Sequence, residues 1–174
     1  VHLPRVGHPD FLPAGAPRSE ANKTGAEFTV HLTAQVEELD AAVGQVFGTL
    51  KELGVEKNTI VLFMSDNGGS RGTSMGPLKG GKGSLYEGGP RTPFLIHWPR
   101  SIPAGQVSHE IAVSSDLLPT LAKLCGGKLS DNKIDGRDLS DLFLNPDKAK
   151  SPHEGFAHKG KAYRLGKWLS LIHI

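Results

Sequence analysis

The segment Thr59-Ile60-Val61-Leu62-Phe63-Met64-Ser65-Asp66-Asn67-Gly68 decides how this chain is read. Its first seven residues are apolar or β-branched almost throughout, as expected of a parallel strand covered on both faces within an α/β layer. The strand then ends on a carboxylate, an amide and a glycine. In open α/β sheets ligands bind beyond the carboxyl ends of strands, so Asp66 and Asn67 stand where a site belongs. A carboxylate beside an amide oxygen suits a hard cation such as Ca²⁺ or Mg²⁺. As an isolated tripeptide, Asp-Asn-Gly would be read only as a good turn.

Upstream, Val36, Leu39, Val43, Val46, Phe47, Leu50 and Leu53 recur at spacings of three and four. They predict an amphipathic helix from about Thr29 to Leu53, with Glu37, Glu38 and Lys51 outside and Gly54 as its C-cap. Residues 1–28, rich in Pro, Gly and Ala, read as an extended loop. His2 and His8 lie there; a histidine can donate a proton to a leaving oxygen, although simple exposure is the usual state of a loop histidine.

Downstream, Gly76 to Ser84 holds the G-x-x-x-x-G-K core of a phosphate-binding loop. Gly83 stands where the metal-binding hydroxyl of such a loop belongs, and Gly88, Gly89, Pro90 and Pro93 forbid the long helix it must open. The P-loop reading is therefore rejected. What remains is Lys82 on a glycine-rich loop, able to hold a sulfate or phosphate oxygen. Lys79 reads as a solvated surface lysine, and Arg91 is expected to pair with Glu87 and brace the loop.

A second apolar strand follows at 93–98, closed by Pro99, with His97 as a core or rim residue, and a third, shorter one is expected between Val107 and Ser114. Ser114 or Ser115 should cap a helix through Leu117, Leu118, Leu121 and Leu124, with Pro119 in its first turn and Gly126-Gly127 ending it. Cys125, the single cysteine, excludes an internal disulfide and reads as a buried small hydrophobe. Asp135 to Phe143 is a turn and a short helix, and segments around Gly160 and Gly166 suggest antiparallel hairpins. The fold class is α/β: part of a mostly parallel sheet flanked by helices, with the start of a small antiparallel C-terminal subdomain. The expected division is 1–150 and 151–174.

The chain has 174 residues, enough for one domain with a real core, and 37% hydrophobic against 22% charged residues places it among globular chains. A net charge of +2 gives no bulk-charge case for nucleic acid, and no apolar run approaches a membrane span. It opens on Val1-His2-Leu3-Pro4 without a start methionine or a signal-peptide pattern, so it is expected to begin inside a longer protein. His31, His109, His153, His158 and His173 show no metal-ligand spacing.

Taken in order, these pieces resemble the sulfatase family within the alkaline phosphatase superfamily over nearly the whole chain. They are the His-x-Pro loop, the helix ending Val46-Phe47-Gly48-Thr49-Leu50-Lys51-Glu52-Leu53-Gly54, and the strand to Asp66-Asn67-Gly68. Gly81-Lys82-Gly83, Tyr86-Glu87-Gly88-Gly89 and Phe94-Leu95-Ile96-His97-Trp98-Pro99 follow, and then Ser115-Asp116-Leu117-Leu118-Pro119-Thr120-Leu121 and Asp135-Gly136-Arg137-Asp138-Leu139. The resemblance implies a sulfuric ester hydrolase acting on sulfated small molecules or glycans. It makes Asp66 and Asn67 two of four ligands to Ca²⁺, with Mg²⁺ as second choice, and makes Lys82 and His2 catalytic. It implies a periplasmic, secreted or lysosomal setting. The family's nucleophile is a formylglycine made in a Cys/Ser-x-Pro-x-Arg motif; Cys125 runs into Gly126-Gly127-Lys128, so the nucleophile and the remaining ligands are expected upstream and the fragment alone is expected to be inactive. Where the family continues Gly-Lys-Trp into Lys and a strand, Trp168 runs into Leu169-Ser170-Leu171-Ile172-His173-Ile174, a departure expected of a truncated gene model or of foreign sequence read through over the last few residues. The alternatives are a phosphoester or phosphonate hydrolase of the same superfamily and a non-catalytic remnant.

Overall fold

The computed structural model describes residues 25–70 and 73–171. Of these, the residues up to Thr59 and those within Ser70–Ser74 form one compact unit, and Ile60–Gly69 with Met75 onward form a second.

In the first unit a long helix, α1 (Gly25–Glu52), starts about a turn earlier than its apolar spacing predicts. Half-buried positions recur along it as a stripe through Leu39, Val43, Val46, Phe47 and Leu50, whereas Val36 and Leu53 lie outside at 57% and 68% exposure. The helix ends where Gly54 takes φ +68°. Gly54 N–H donates to Lys51 O at 3.0 Å and Val55 N–H to Leu50 O at 3.0 Å, the paired bonds of a Schellman cap.

The second unit holds five strands and two α-helices among its described residues. Strand β1 (Val61–Met64) pairs antiparallel with β2 (Phe94–His97), Val61 facing His97 and Met64 facing Phe94. The α/β class holds, but the parallel neighbour expected for β1 is not what these two strands show. The apolar run encodes coverage on two faces and says nothing of partner direction. Direction is set by the 65–93 loop, which leaves and re-enters at the same end: Ser65 N–H donates to Pro93 O at 3.2 Å and Gly68 N–H to Gly89 O at 2.8 Å. The loop is thereby closed at its base like a long hairpin.

The expected strand at 107–114 is absent; the segment is irregular and leads into a 3₁₀ turn, Ser114–Asp116. Helix α2 (Leu117–Leu124) follows with Pro119 in its first turn, where the missing N–H is harmless. Neither Ser114 nor Ser115 caps it. The carboxylate of Asp116 does the local bonding instead, accepting from Val113 N–H at 2.8 Å. Its end is a second Schellman cap, with Gly126 at φ +70° and Gly127 N–H donating to Ala122 O at 2.7 Å. Cys125 sits just past the buried stripe of this helix and is exposed, contrary to its expected burial.

A short helix, α3 (Ser140–Leu144), supplies the core: Leu139, Leu142 and Phe143 are buried, with Ile96, Ile102, Leu117 and Leu124 packed against them. Phe94 stacks on Phe143 at 5.7 Å between ring centroids, which ties β2 to α3. The chain then forms the expected antiparallel meander β3 (Gly155–His158), β4 (Ala162–Leu165) and β5 (Trp168–Leu171). Lys159 and Gly160 both have positive φ, as in a type I′ turn, and Gly166 turns β4 into β5.

Candidate functional site

Asp66 and Asn67 directly follow β1, Asp66 exposed and Asn67 half-buried, and Ser65 Oγ donates to Asn67 O at 2.9 Å. Their two neighbours Gly68 and Gly69 then anchor the loop that carries Lys82. Gly68 N–H donates to Gly89 O at 2.8 Å, and Lys82 N–H donates to Gly69 O at 2.8 Å. Farther along, Gly88 N–H donates to Lys79 O at 2.8 Å. These contacts require bare backbone. A Cβ on Gly68 would stand 1.7 Å from Gly88 O, and one on Gly88 would stand 2.3 Å from Gly80 O.

Lys82 occupies the corner of a tight turn in which Ser84 N–H returns to Gly81 O at 2.9 Å and Gly83 takes φ +85°. That is the geometry of a type II turn, which accepts glycine at its third position without strain. The Lys82 side chain is exposed at this corner. Lys79 is not simply solvated: its Nζ lies 4.1 Å from the centroid of the Tyr86 ring, a cation–π contact.

Arg91 pairs with Glu87 as expected, Nη1 to Oε2 at 3.2 Å. The second partner of that carboxylate was not foreseen: Arg164 on β4 donates from Nη1 to Glu87 Oε1. His97 sits half-buried on β2, in agreement with a core or rim role. His2 lies outside the described residues. Asp66, Asn67 and Lys82 therefore belong to one glycine-built segment. Among the described residues, no group of three or more His, Cys, Asp and Glu side chains could hold a metal ion.

A polar node escaped the sequence reading. Asp116 is fully buried, and its Oδ1 accepts from Arg137 N–H at 2.8 Å while Oδ2 accepts from Val113 N–H and faces His153 Nε2, each at 2.8 Å. Nearby, Ser151 N–H and Lys150 Nζ both donate to Glu110, each at 3.0 Å. These two partners, the Ser151 N–H foremost, hold the Glu110 carboxyl below its ordinary range. On β3, burial and then the neighbouring Lys159 charge push the His158 imidazole down. The Asp116 motif was visible, but two of its three partners lie 21 and 37 residues away and carry no local signal.

Known proteins resemble this chain in the same regions. A sequence model of the Sulfatase family matches residues 8–127. Mouse steryl-sulfatase is 44% identical over 139 residues, 74% of this chain and 22% of the relative. Human arylsulfatase A is 49% identical over 122 residues, 67% of this chain and 24% of the relative. The chain thus spans about a quarter of the length of these curated relatives. Among solved structures, Ps i-CgsB in complex with k-i-k-neocarrahexaose superposes with a TM-score of 0.73 at 33% identity, covering 88% of this chain and 35% of that one. On the family match and these identities, the chain belongs to the sulfatase family.

Proposed function

We propose that this chain is part of a sulfatase that hydrolyses sulfate monoesters at the S–O bond and supplies one side of its active site. The observation that carries this reading is the bond from Lys82 N–H to Gly69 O, 2.8 Å, which ties the lysine turn to the residues right after Asp66 and Asn67. A cationic side chain and two oxygen-bearing side chains on one knotted backbone suit a sulfate ester. Lys82 would bind an ester oxygen and meet the negative charge that develops on the leaving oxygen. His2 would assist the departure of that oxygen as a proton donor.

The donor chemistry of Asp66 and Asn67 fits a hard cation, Ca²⁺ or Mg²⁺, as two of its ligands. When bound, such a cation would neutralise charge on the sulfate. The nucleophile in this reading is a formylglycine from a Cys/Ser-x-Pro-x-Arg segment outside residues 1–174, so the isolated chain should be inactive. Sulfated small molecules or glycans are the proposed substrates, in line with relatives named for steryl and aryl substrates and a solved relative in complex with neocarrahexaose. The same reading sets 151–174 apart as the start of a smaller piece within the second unit, since among the described residues β3, β4 and β5 form a sheet of their own.

The test is a pair of substitutions in the complete, matured protein. Lys82→Ala should lower kcat/KM for a small aryl sulfate by on the order of a hundredfold, the scale of losing one preorganised charge partner. Lys79→Ala, which loses only its contact to Tyr86, should cost less than about threefold. Equal losses would remove Lys82 from the site, and a complete protein without sulfate ester hydrolysis would overturn the reading.

A further inference from the structure

We infer that Arg164 is a positioning residue for the Lys82 loop, acting through Glu87; the kinetic part of this inference rests on the sulfatase reading above. The loop's glycine contacts define its shape, but the 84–91 segment must also be held against the rest of the unit. Its Gly88 and Gly89 bond Lys79 and Gly68, so a shift in this segment moves both the lysine turn and the end of β1. Glu87 is the acidic residue within it. Arg91, one turn on in the same segment, is 47% exposed and cannot register the segment against another element. Arg164 can. It lies on β4, the central strand of the meander, paired with Phe156 on one side and Leu169 on the other, and its Nε donates to Gly166 O at 3.2 Å.

The Glu87–Arg164 pair is about three-quarters buried on both sides, at 26% and 27% exposure. Ion pairs with so little solvent are screened less than surface pairs, and losing one partner leaves the other charge poorly solvated. The meander thereby serves as a rigid brace for a turn far away in sequence. Small misplacements of a charged group can cost large factors in rate without any lost contact to substrate.

The experiment uses the complete protein carrying Arg164→Ala, Arg164→Lys, Glu87→Gln, or Glu87→Gln with Arg164→Ala. For a small aryl sulfate, Arg164→Ala should lower kcat on the order of tenfold with a smaller change in KM. Arg164→Lys should recover part of that loss, and the double variant should be no worse than Glu87→Gln alone, as expected when one residue acts through the other. Hydrogen exchange supplies a readout independent of activity: protection of the Gly68 and Lys82 amides should fall while the β3–β4 ladder keeps its own. Unchanged exchange at Gly68 and Lys82, loss confined to the β3–β4 ladder, or additive kinetic losses would each overturn the inference. If the parent protein hydrolyses no sulfate ester, the functional reading fails and the exchange measurement still decides the role of Arg164. If Arg164→Ala does not fold, Glu87→Gln carries both readouts when set against Arg91→Ala, which removes only the other partner of Glu87.

Discussion

Replacing Asp116 tests the buried node most directly. Its two oxygens serve three partners, the N–H groups of Val113 and Arg137 and the Nε2 of His153, all at 2.8 Å, and the residue is 0% exposed. Asp116→Asn keeps the shape and one oxygen. Placed at Oδ2, that oxygen retains Val113 and His153 but turns an NH₂ group toward the Arg137 N–H, donor against donor. One charge-assisted bond is lost and two buried donors are left unsatisfied, a cost of about 2–4 kcal/mol. Asp116→Ala orphans all three partners and should cost about 3–5 kcal/mol, at least about 1 kcal/mol for each donor left without an acceptor. His153→Ala should cost less, about 1–2 kcal/mol, because Oδ2 still accepts from Val113. Urea unfolding followed by tryptophan fluorescence gives the global cost, and hydrogen exchange at the Val113 and Arg137 amides gives the local one. An Asp116→Asn protein within about 0.5 kcal/mol of its parent would behave like a surface substitution and refute the reasoning.

Three further outcomes are expected. Gly68→Ala should destabilise by about 3 kcal/mol or more, since its Cβ would fall 1.7 Å from Gly88 O, whereas Gly44→Ala in α1, with nothing within 4 Å, should stabilise by about 1 kcal/mol; thermal melts of the two check the contrast. Because the folded state holds the Glu110 carboxyl low, its contribution is present above the ordinary carboxylate range and is lost as pH falls below about 4. Stability profiles of the parent and Glu110→Gln between pH 6 and 3 should therefore converge toward acid, and parallel profiles would contradict this. Residues 1–174 alone should bind Ca²⁺ with Kd weaker than about 1 mM by calorimetry, since in the proposed reading Asp66 and Asn67 would supply only two of the six or more oxygens the ion takes; micromolar binding would show a more complete cage.

What the sequence made legible was local. The α1 stripe, the Gly54 cap, the apolar run of β1 and the hairpins around Gly160 and Gly166 are all encoded in spacings of a few residues, and each appears in the structure. The β1–β2 direction was not encoded, because an apolar strand accepts a neighbour of either sense. Residues 107–113 alternate weakly, yet Ser151 Oγ and Ser151 N–H engage the Ile111 carbonyl and Glu110 and keep the segment out of a ladder. Cys125 was misread because a helical period continues past the last buried turn, while the cap turns that position outward. In the loop, order and chemistry put Asp66, Asn67 and Lys82 forward as candidates, and the Glu87–Arg91 pair could be read from spacing and charge. Arg164 could not, since it lies 77 residues from Glu87 with no motif to join them.

The backbone construction of the lysine loop has an evolutionary consequence. The bonds Gly68–Gly89, Gly69–Lys82, Lys79–Gly88 and Gly81–Ser84 all run between main-chain atoms. At Leu78, Lys79 and Leu85, side-chain identity contributes nothing to those four bonds. Such a scaffold separates the residues that fix the loop's trajectory from those that decorate it. Substitutions at the decorating positions can accumulate and alter the surface offered to a ligand while the trajectory stays put. A lineage built on this loop can diversify its chemistry of recognition without re-inventing its architecture.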